Sequence, residues 1–397
     1  MRNPLPDCSR VRPGYGDAGN PFAYMTFAER FRDPNRTLSA SARSFQRLLE
    51  PLPDPGLEAL ARRAAAITRK HFGRTMRLFA PLYLSNECIN NCAYCGFSRD
   101  NPILRVTLTV EQVLAEARYL ADLGIRNLLL VSGEHPKYVS NGYLASVVAA
   151  VREVIPAVSL EVAPMEVEDY RPLVTNGAEG LVVYQETYDR AVYQEMHTSG
   201  PKRNFDWRLE CPERAFAAGF RRLGIGVLFG LGDWRTEAMH LFEHVEFLLR
   251  KCWRAQITVS LPRLRPAAGG FHPRTAFSER ELVQLVCALR VMLPQVGLVL
   301  STREPGPLRD VLMPLGITMM SAGSCTAPGG YTGQGCESLH LTIRGRAAAA
   351  TVAHGKAEAQ FAIDDDRSPE EVAAALTRLG LEPVWKDWDP ALTLANA

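Results

Sequence analysis

The sequence predicts an α/β protein, a (β/α)8 TIM-type barrel of parallel strands with an N-terminal helical extension and a small C-terminal extension. Three observations carry that expectation. From about residue 78, short apolar runs alternate with amphipathic stretches of helical period, the repeat left by a parallel sheet with crossover helices. Several runs are apolar throughout, as strands covered on both faces are. Polar, glycine-bearing stretches follow the carboxyl ends of successive runs, where such barrels carry their functional loops.

The expected boundaries are 1–76 for an arm and helical extension, 77–325 for the barrel and 326–397 for the C-terminal extension. Residues 1–40 are rich in Pro, Gly and Asn without a sustained period and read as a wrapping arm or leader. Ser44–Glu50 and Gly56–Ile67 place apolar residues at helical intervals, and Pro51, Pro53 and Pro55 divide them. The candidate strands are Leu78–Leu84, Asn127–Val131, Ser159–Val162, Gly180–Tyr184, Gly226–Gly230, Gln256–Ser260, Gly297–Leu300 and Ile317–Met320. Thr109–Leu123, Gly142–Val154, Pro212–Leu223, Glu237–Lys251 and Ser278–Leu293 are the candidate helices. Gly330–Gln360, rich in Gly and Ala, reads as a loop or an extra helix.

The 397 residues hold 45 Lys and Arg against 43 Asp and Glu, a net charge of +2 with no basic run or aromatic–basic platform, so no nucleic-acid partner is expected. No apolar signal core or run of about 18 apolar residues predicts a membrane span, and nine cysteines suit a reducing cytoplasm.

The cysteines carry the chemistry. Cys88-Ile-Asn-Asn-Cys92-Ala-Tyr-Cys95 sets three thiols at CxxxCxxC spacing directly after the first candidate strand. Soft thiolates at that density suit zinc or an iron–sulfur cluster better than a hard cation. A structural zinc site takes four ligands and no CxxC or HxxxH partner stands elsewhere, whereas three cysteines on a [4Fe–4S] cluster leave one iron open. Asn90 and Asn91 tolerate the turn conformations that fold the loop back. Cys8, Cys211, Cys252, Cys287, Cys325 and Cys336 have no metal spacing and read as inert thiols.

Further polar signals follow later strands. Ser132-Gly133-Glu134 is a turn bearing a carboxylate, and Glu161 is a carboxylate within an apolar run, costly unless it bonds something. Tyr184, Gln185, Glu186 and Tyr188 crowd the end of the fourth strand, followed by His197, Lys202 and Arg208. Gly230 stands in a glycine-rich fifth strand that lets a flat ring approach the backbone. Arg303 and Ser321 together offer a fork and a hydroxyl to a carboxylate, unless Arg303 pairs with adjacent Glu304.

At Cys88, Cys92, Tyr94 and Cys95 the chain resembles the radical S-adenosylmethionine (SAM) enzymes, whose signature is CxxxCxΦC with an aromatic Φ. It further resembles their tyrosine lyases, the group of the 2-iminoacetate synthases of thiamine thiazole synthesis. That resemblance runs from about residue 40 to Asp389, through CINNCAYCGF, SGEHPKY, LEVAPM, YQETY, HTSGPKRNFDWR, GIGVLFGL, PRLRPAAGGF, STRE, SAGS and DDRSPEEV…VWKDWD. It implies a [4Fe–4S] cluster on Cys88, Cys92 and Cys95, with SAM chelated at the open iron and cleaved to methionine and a 5′-deoxyadenosyl radical. SAM contacts are then expected from Tyr94, Gly133, Glu134, Glu161, Gln185, Arg208 and Gly230. Arg303, Ser321, Tyr184 and Tyr188 are expected to bind substrate, with Arg303 and the three cysteines as the catalytic set.

The implied reaction is scission of the Cα–Cβ bond of L-tyrosine to 2-iminoacetate and p-cresol. A reduced flavodoxin- or ferredoxin-type donor would supply the electron, and a thiazole synthase would receive the hydrolysable product. The related hydrogenase-maturation lyases carry a second C-terminal cysteine triad, and this chain has no cysteine after Cys336. The competing readings are a tyrosine-using radical SAM enzyme of deazaflavin synthesis, an electron-transfer iron–sulfur protein and a zinc-stabilised hydrolase.

Overall fold

The candidate strands converge on one closed parallel barrel. The structure is a computed structural model describing residues 25–33, 36–348 and 355–385; Cys8 and most of the 1–40 arm lie outside the described residues. In chain order the barrel strands are β1 (Thr75–Ser85), β2 (Asn127–Ser132), β3 (Ala157–Glu161), β4 (Ala178–Glu186), β5 (Arg222–Val227), β6 (Gln256–Ser260), β7 (Gly297–Leu300) and β8 (Met319–Ser321). Each pairs in parallel with its sequence neighbours, and Arg77–Phe79 of β1 pairs with Met319–Ser321 of β8 to close the ring.

The sequence forms these units for local reasons. In α4 (Val110–Asp122), Thr109 and Gln112 make a reciprocal cap, and Val113, Ala117 and Leu120 are buried at helical spacing against the barrel. Ser140 caps α5 (Asn141–Arg152), and Ser278 with Glu281 caps α6 (Glu279–Met292). Each such cap contributes about 1 kcal/mol and sets where the helix begins. The N-terminal extension is helical as expected: α2 (Ala40–Leu48) and α3 (Asp54–Phe72) pack against α6, Leu60 and Ala64 meeting Cys287.

Several boundaries differ from expectation. The fifth strand is Arg222–Val227, not Gly226–Gly230, because Gly230 takes φ 113°, which an extended strand cannot use. The helix expected over Pro212–Leu223 ends at Ala218, where Gly219 adopts a left-handed cap at φ 112°. The eighth strand starts at Met319 rather than Ile317. Within Gly330–Gln360, neither expectation covers what forms: His340–Ile343 pairs antiparallel with both Ile103–Arg105 and Arg346–Ala347, a small sheet beside the cysteine loop.

The C-terminal stretch returns to the barrel. Glu382–Val384 pairs with Thr75–Arg77 at the start of β1, on the edge that β2 occupies from Ala80 onward. Asp365 ion-pairs with the fully buried Arg309 and with Arg367, tying this stretch beneath β8. No helix among the described residues is long and apolar enough to cross a membrane.

Candidate active site at the mouth of the barrel

The cysteine loop leaves the carboxyl end of β1 and is held from several sides. Asn91–Cys92 pairs antiparallel with His197–Ser199, so the His-Thr-Ser-Gly stretch serves as a second wall for the loop. Gly200, at φ 89°, lets that wall approach: a Cβ there would lie 2.3 Å from the Asn90 amide oxygen. Asn101 donates to the carbonyls of Cys95 and Gly96, and Asn90 donates to Glu134 at 2.6 Å. The Gly133–Glu134 turn docks directly on the loop, with the Ile89 amide donating to the Glu134 carbonyl at 2.8 Å. A Cβ on Gly133 would sit 2.2 Å from the Glu87 carbonyl oxygen, so this turn requires glycine.

Cys92 is buried, and Cys88 and Cys95 are half-buried. Cys88 and Cys95 border the apolar group of Tyr83, Phe97 and Val131, while Cys92 and Cys95 border Tyr94, Met196, Leu228 and Leu231. Burial, with a smaller contribution from Cys88, pushes the Cys95 thiol up to about 11; burial likewise raises Cys92. Such thiols stay protonated until a metal displaces the protons. Among the described residues no three His, Cys, Asp or Glu side chains converge closely enough to hold one ion. The three thiols act on one another's charge amid apolar neighbours, and such a soft donor set suits a multi-iron cluster.

Tyr94 lines the cavity beside the loop, but its hydroxyl is engaged. Its hydroxyl lies 2.8 Å from His197 Nε2, and His197 Nδ1 lies 2.7 Å from the Tyr193 carbonyl. The carbonyl can only accept, so Nδ1 carries the proton and Tyr94 donates to Nε2. Burial, with Lys202 adding to it, lowers His197 to about 3, which keeps that ring neutral.

Beside the loop, one cavity is lined by Tyr94, Cys95, Glu161, Tyr184, Glu186, Lys202, Arg303 and Phe361. It continues into a second, lined by Tyr83, Ser321 and Ser324 and by the inward apolar side chains Phe79, Leu129 and Val299. Glu161, Tyr184 and Arg303 line both. Burial raises Glu161 to about 7, Glu186 adding to the effect and Arg303, Arg208 and Lys202 opposing it. Glu186 behaves oppositely: burial opposes its ionisation, but Lys202 at 2.7 Å and Arg208 at 3.6 Å outweigh it and hold the carboxyl below its usual range. Glu186 sits at φ 71° past a register shift in β4, a left-handed backbone costing roughly 1–3 kcal/mol that turns its carboxylate toward Lys202.

Arg303 is not paired with Glu304. Glu304 is buried and taken by Arg263 and by Arg265 at 2.9 Å. The Arg303 guanidinium stacks 3.3 Å above the Phe361 ring and, among the described residues, has no carboxylate within ion-pair distance. Ser321 accepts from the Thr302 amide at 3.1 Å, bracing the backbone next to Arg303, and its own proton remains available at the cavity wall. Ser324 Oγ is buried on the same wall without a partner among the described residues.

Four expected contacts are placed elsewhere. Tyr188 is buried away from the mouth, its hydroxyl 2.8 Å from His244 Nδ1, beneath α1 (Phe27–Arg32) whose Phe27 stacks on His244. Gln185 points out of the barrel toward the Phe205 carbonyl, because side chains alternate along β4 and its neighbours Tyr184 and Glu186 take the inner face. Gly230 packs against Leu264 and Pro273 and its carbonyl accepts from the Arg274 amide; the flat ring lying on the glycines of β5 is that of Tyr184, against Gly226. Arg208 stands behind Glu186 and donates to the Tyr184 carbonyl at 2.6 Å. Sequence reasoning passed over Glu186, Lys202, Tyr83, Gln360 and Phe361 as site residues. Glu186 and Lys202 carried a signal in the polar density of their stretches, whereas Gln360 and Phe361 had none.

Three thiols on the first loop of a parallel barrel, with a charged cavity beside them, define a class. Residues 82–242 match the family model described as the Radical SAM superfamily, and residues 260–382 match the Biotin and Thiamin Synthesis associated domain. The chain is a radical SAM protein. The 2-iminoacetate synthase of Escherichia coli (strain K12) is 42% identical over 368 residues, 92% of each chain, and that of Salmonella typhimurium is 41% identical over the same share. The X-ray structure of the FeFe-hydrogenase maturase HydG from Carboxydothermus hydrogenoformans superposes with a TM-score of 0.78 at 35% identity, covering 89% of this chain and 77% of that one. The chain belongs to the family of the 2-iminoacetate synthases.

Proposed function

We propose that this protein cleaves the Cα–Cβ bond of L-tyrosine to 2-iminoacetate and p-cresol for thiamine thiazole synthesis. The observation that carries the reading is likeness to 2-iminoacetate synthase over 92% of each chain, and it is supported by Arg303, without an ion-pair partner among the described residues, lining one cavity with Glu161 and Cys95. Cys88, Cys92 and Cys95 would hold a [4Fe–4S] cluster, which supplies the electron that splits SAM and so the radical that takes a substrate hydrogen.

The chain's own residues bind, orient and move a proton. Arg303, flattened against Phe361, presents its fork to the tyrosine carboxylate, and the Ser321 hydroxyl braces and extends that clamp. The amine then points toward Glu161, whose carboxyl, raised to about 7 by burial, is basic enough to take the ammonium proton. Phe79, Leu129 and Val299 offer apolar wall to the ring, and the Tyr83 hydroxyl, bonded to Gln360 at 2.7 Å, adds a polar group to the same cavity. Holding the amine in place matters because a misdirected radical attacks protein, and effective concentration depends on geometry. We assign the protein to the cytoplasm, with a reduced flavodoxin- or ferredoxin-type donor and a thiazole synthase as partners.

The test is anaerobic reconstitution with iron and sulfide, then SAM, reductant and L-tyrosine, scoring p-cresol and 5′-deoxyadenosine together. Deoxyadenosine without p-cresol would overturn tyrosine scission, and neither product from cluster-loaded protein would overturn the whole reading.

Two further outcomes are expected. Gly133→Ala forces the turn off the cysteine loop and is expected to weaken SAM binding by about tenfold or more, read by titration of the loaded protein. An unchanged affinity would remove this turn from the SAM site. Glu161 keeps its proton to higher pH in the fold than its ordinary value of 4.5, so the fold loses stability as pH rises from about 4.5 through about 7. Urea melts of the cluster-free protein should show that decline, and Glu161→Gln should flatten it.

A further inference from the structure

Arg105 is among the most deeply buried side chains of the molecule, 1% exposed, and it lies under the cysteine loop. Its guanidinium donates to the Asn86 carbonyl before Cys88, to the Phe97 carbonyl at 3.0 Å and the Ser98 carbonyl at 2.7 Å after Cys95, and to the Thr342 hydroxyl at 2.6 Å. One side chain therefore spans both stems of the loop and ties them to the small antiparallel sheet of Ile103–Arg105 and His340–Ile343. All four acceptors are neutral. Among the described residues no carboxylate lies within ion-pair distance of Arg105, and its acidic neighbour Glu87 faces His340 at 2.9 Å.

A buried guanidinium without a counter-charge is costly. Arg290, also fully buried, bonds only carbonyls, those of Leu293, Pro294, Val296 and Gly316, so bonding of this kind can be a purely structural staple. The two differ in their electrostatic surroundings: burial alone acts on Arg290, whereas Arg105 feels burial and, against it, the negative forms of Glu87, Cys88 and Cys95. Thiolates at Cys88 and Cys95 would add their charge to that of Glu87, which already stands opposite His340.

We propose that Arg105 is a positioning residue for the iron–sulfur centre, clamping the two stems of the cysteine loop and placing one fixed positive charge beside the cluster that eases its reduction. The inference rests on the family's [4Fe–4S] cluster. Each reduction adds a negative charge to the centre, and a fixed cation in a poorly solvated site stabilises that state.

The experiment compares full-length wild type, Arg105→Lys and Arg105→Gln after anaerobic reconstitution, by iron content and by spectroscopic redox titration without substrate. In Arg105→Gln the reduced-to-oxidised ratio at the wild-type midpoint should fall roughly tenfold. In Arg105→Lys, which keeps the charge, it should stay near the wild-type value. A cluster-loaded Gln variant with an unmoved midpoint, or a Lys variant lowered as far as Gln, overturns the proposal while leaving the cluster intact. Where Gln holds no iron, loading of Lys alone, with both cluster-free proteins melting like wild type, supports it. Failure of both to load, or early melting of both, reduces Arg105 to a staple like Arg290. Wild type that binds no iron would overturn the cluster reading itself.

Discussion

Arg303→Gln is expected to lower kcat/KM for p-cresol formation about a hundredfold, the loss associated with a bidentate charge-assisted pair to a carboxylate. The side chain is well suited to that role because its alternatives are taken: Glu304 is satisfied by Arg263 and Arg265, and Phe361 holds the guanidinium flat at the cavity edge. Cluster absorbance and iron content should not change, since no described contact joins Arg303 to the cysteine loop. Arg303→Lys should recover little, because a point charge cannot reproduce the fork. The measurement is steady-state p-cresol release against tyrosine concentration, and near-normal kcat/KM in the Gln variant would place the carboxylate elsewhere.

Cys92→Ala is expected to remove both products to background and to prevent stable iron binding, because two thiolates cannot hold the centre. The fold should survive. Cys92 is 4% exposed within a small apolar group of Tyr94, Met196, Leu228 and Leu231, and the pairing of Asn91–Cys92 with His197–Ser199 uses backbone, not the thiol. Circular dichroism of the cluster-free variant should therefore match wild type, while iron analysis and the two-product assay separate them. Retained deoxyadenosine formation would mean that Cys92 is not a ligand.

Much of the fold was readable because its determinants are local. Ser278 and Glu281, or Thr109 and Gln112, mark helix starts within four residues, and continuous apolar runs such as Leu128–Val131 mark buried parallel strands. The fifth strand was misplaced for an equally local reason, since Val227-Leu-Phe is as apolar as a strand but Gly230 turns the chain. Within the site, chemistry packed into a few consecutive residues was visible, as in the cysteine triad and the Ser-Gly-Glu turn. Tyr188 and Gln185 were not separable from Tyr184 and Glu186 by composition. Their fates follow from strand alternation and from the register shift at the end of β4.

The sequence by itself determined the barrel, the three-thiol loop and the family, because helix caps, strand runs and motif spacing act over short stretches of chain. Only the tertiary structure decided which charges are free. Glu304 withdraws to Arg263, from a different loop; Glu186 is neutralised by Lys202 and Arg208; and Arg303 and Glu161 are left facing the cavity. Phe361 and Gln360 reach the mouth from the C-terminal stretch, where Gly96 leaves room for the Ala359 and Gln360 carbonyls to cross the cysteine loop. Burial and charge pairing depend on which distant segments meet, and it is that meeting which sets Glu161 near neutrality and leaves one arginine open to a substrate carboxylate.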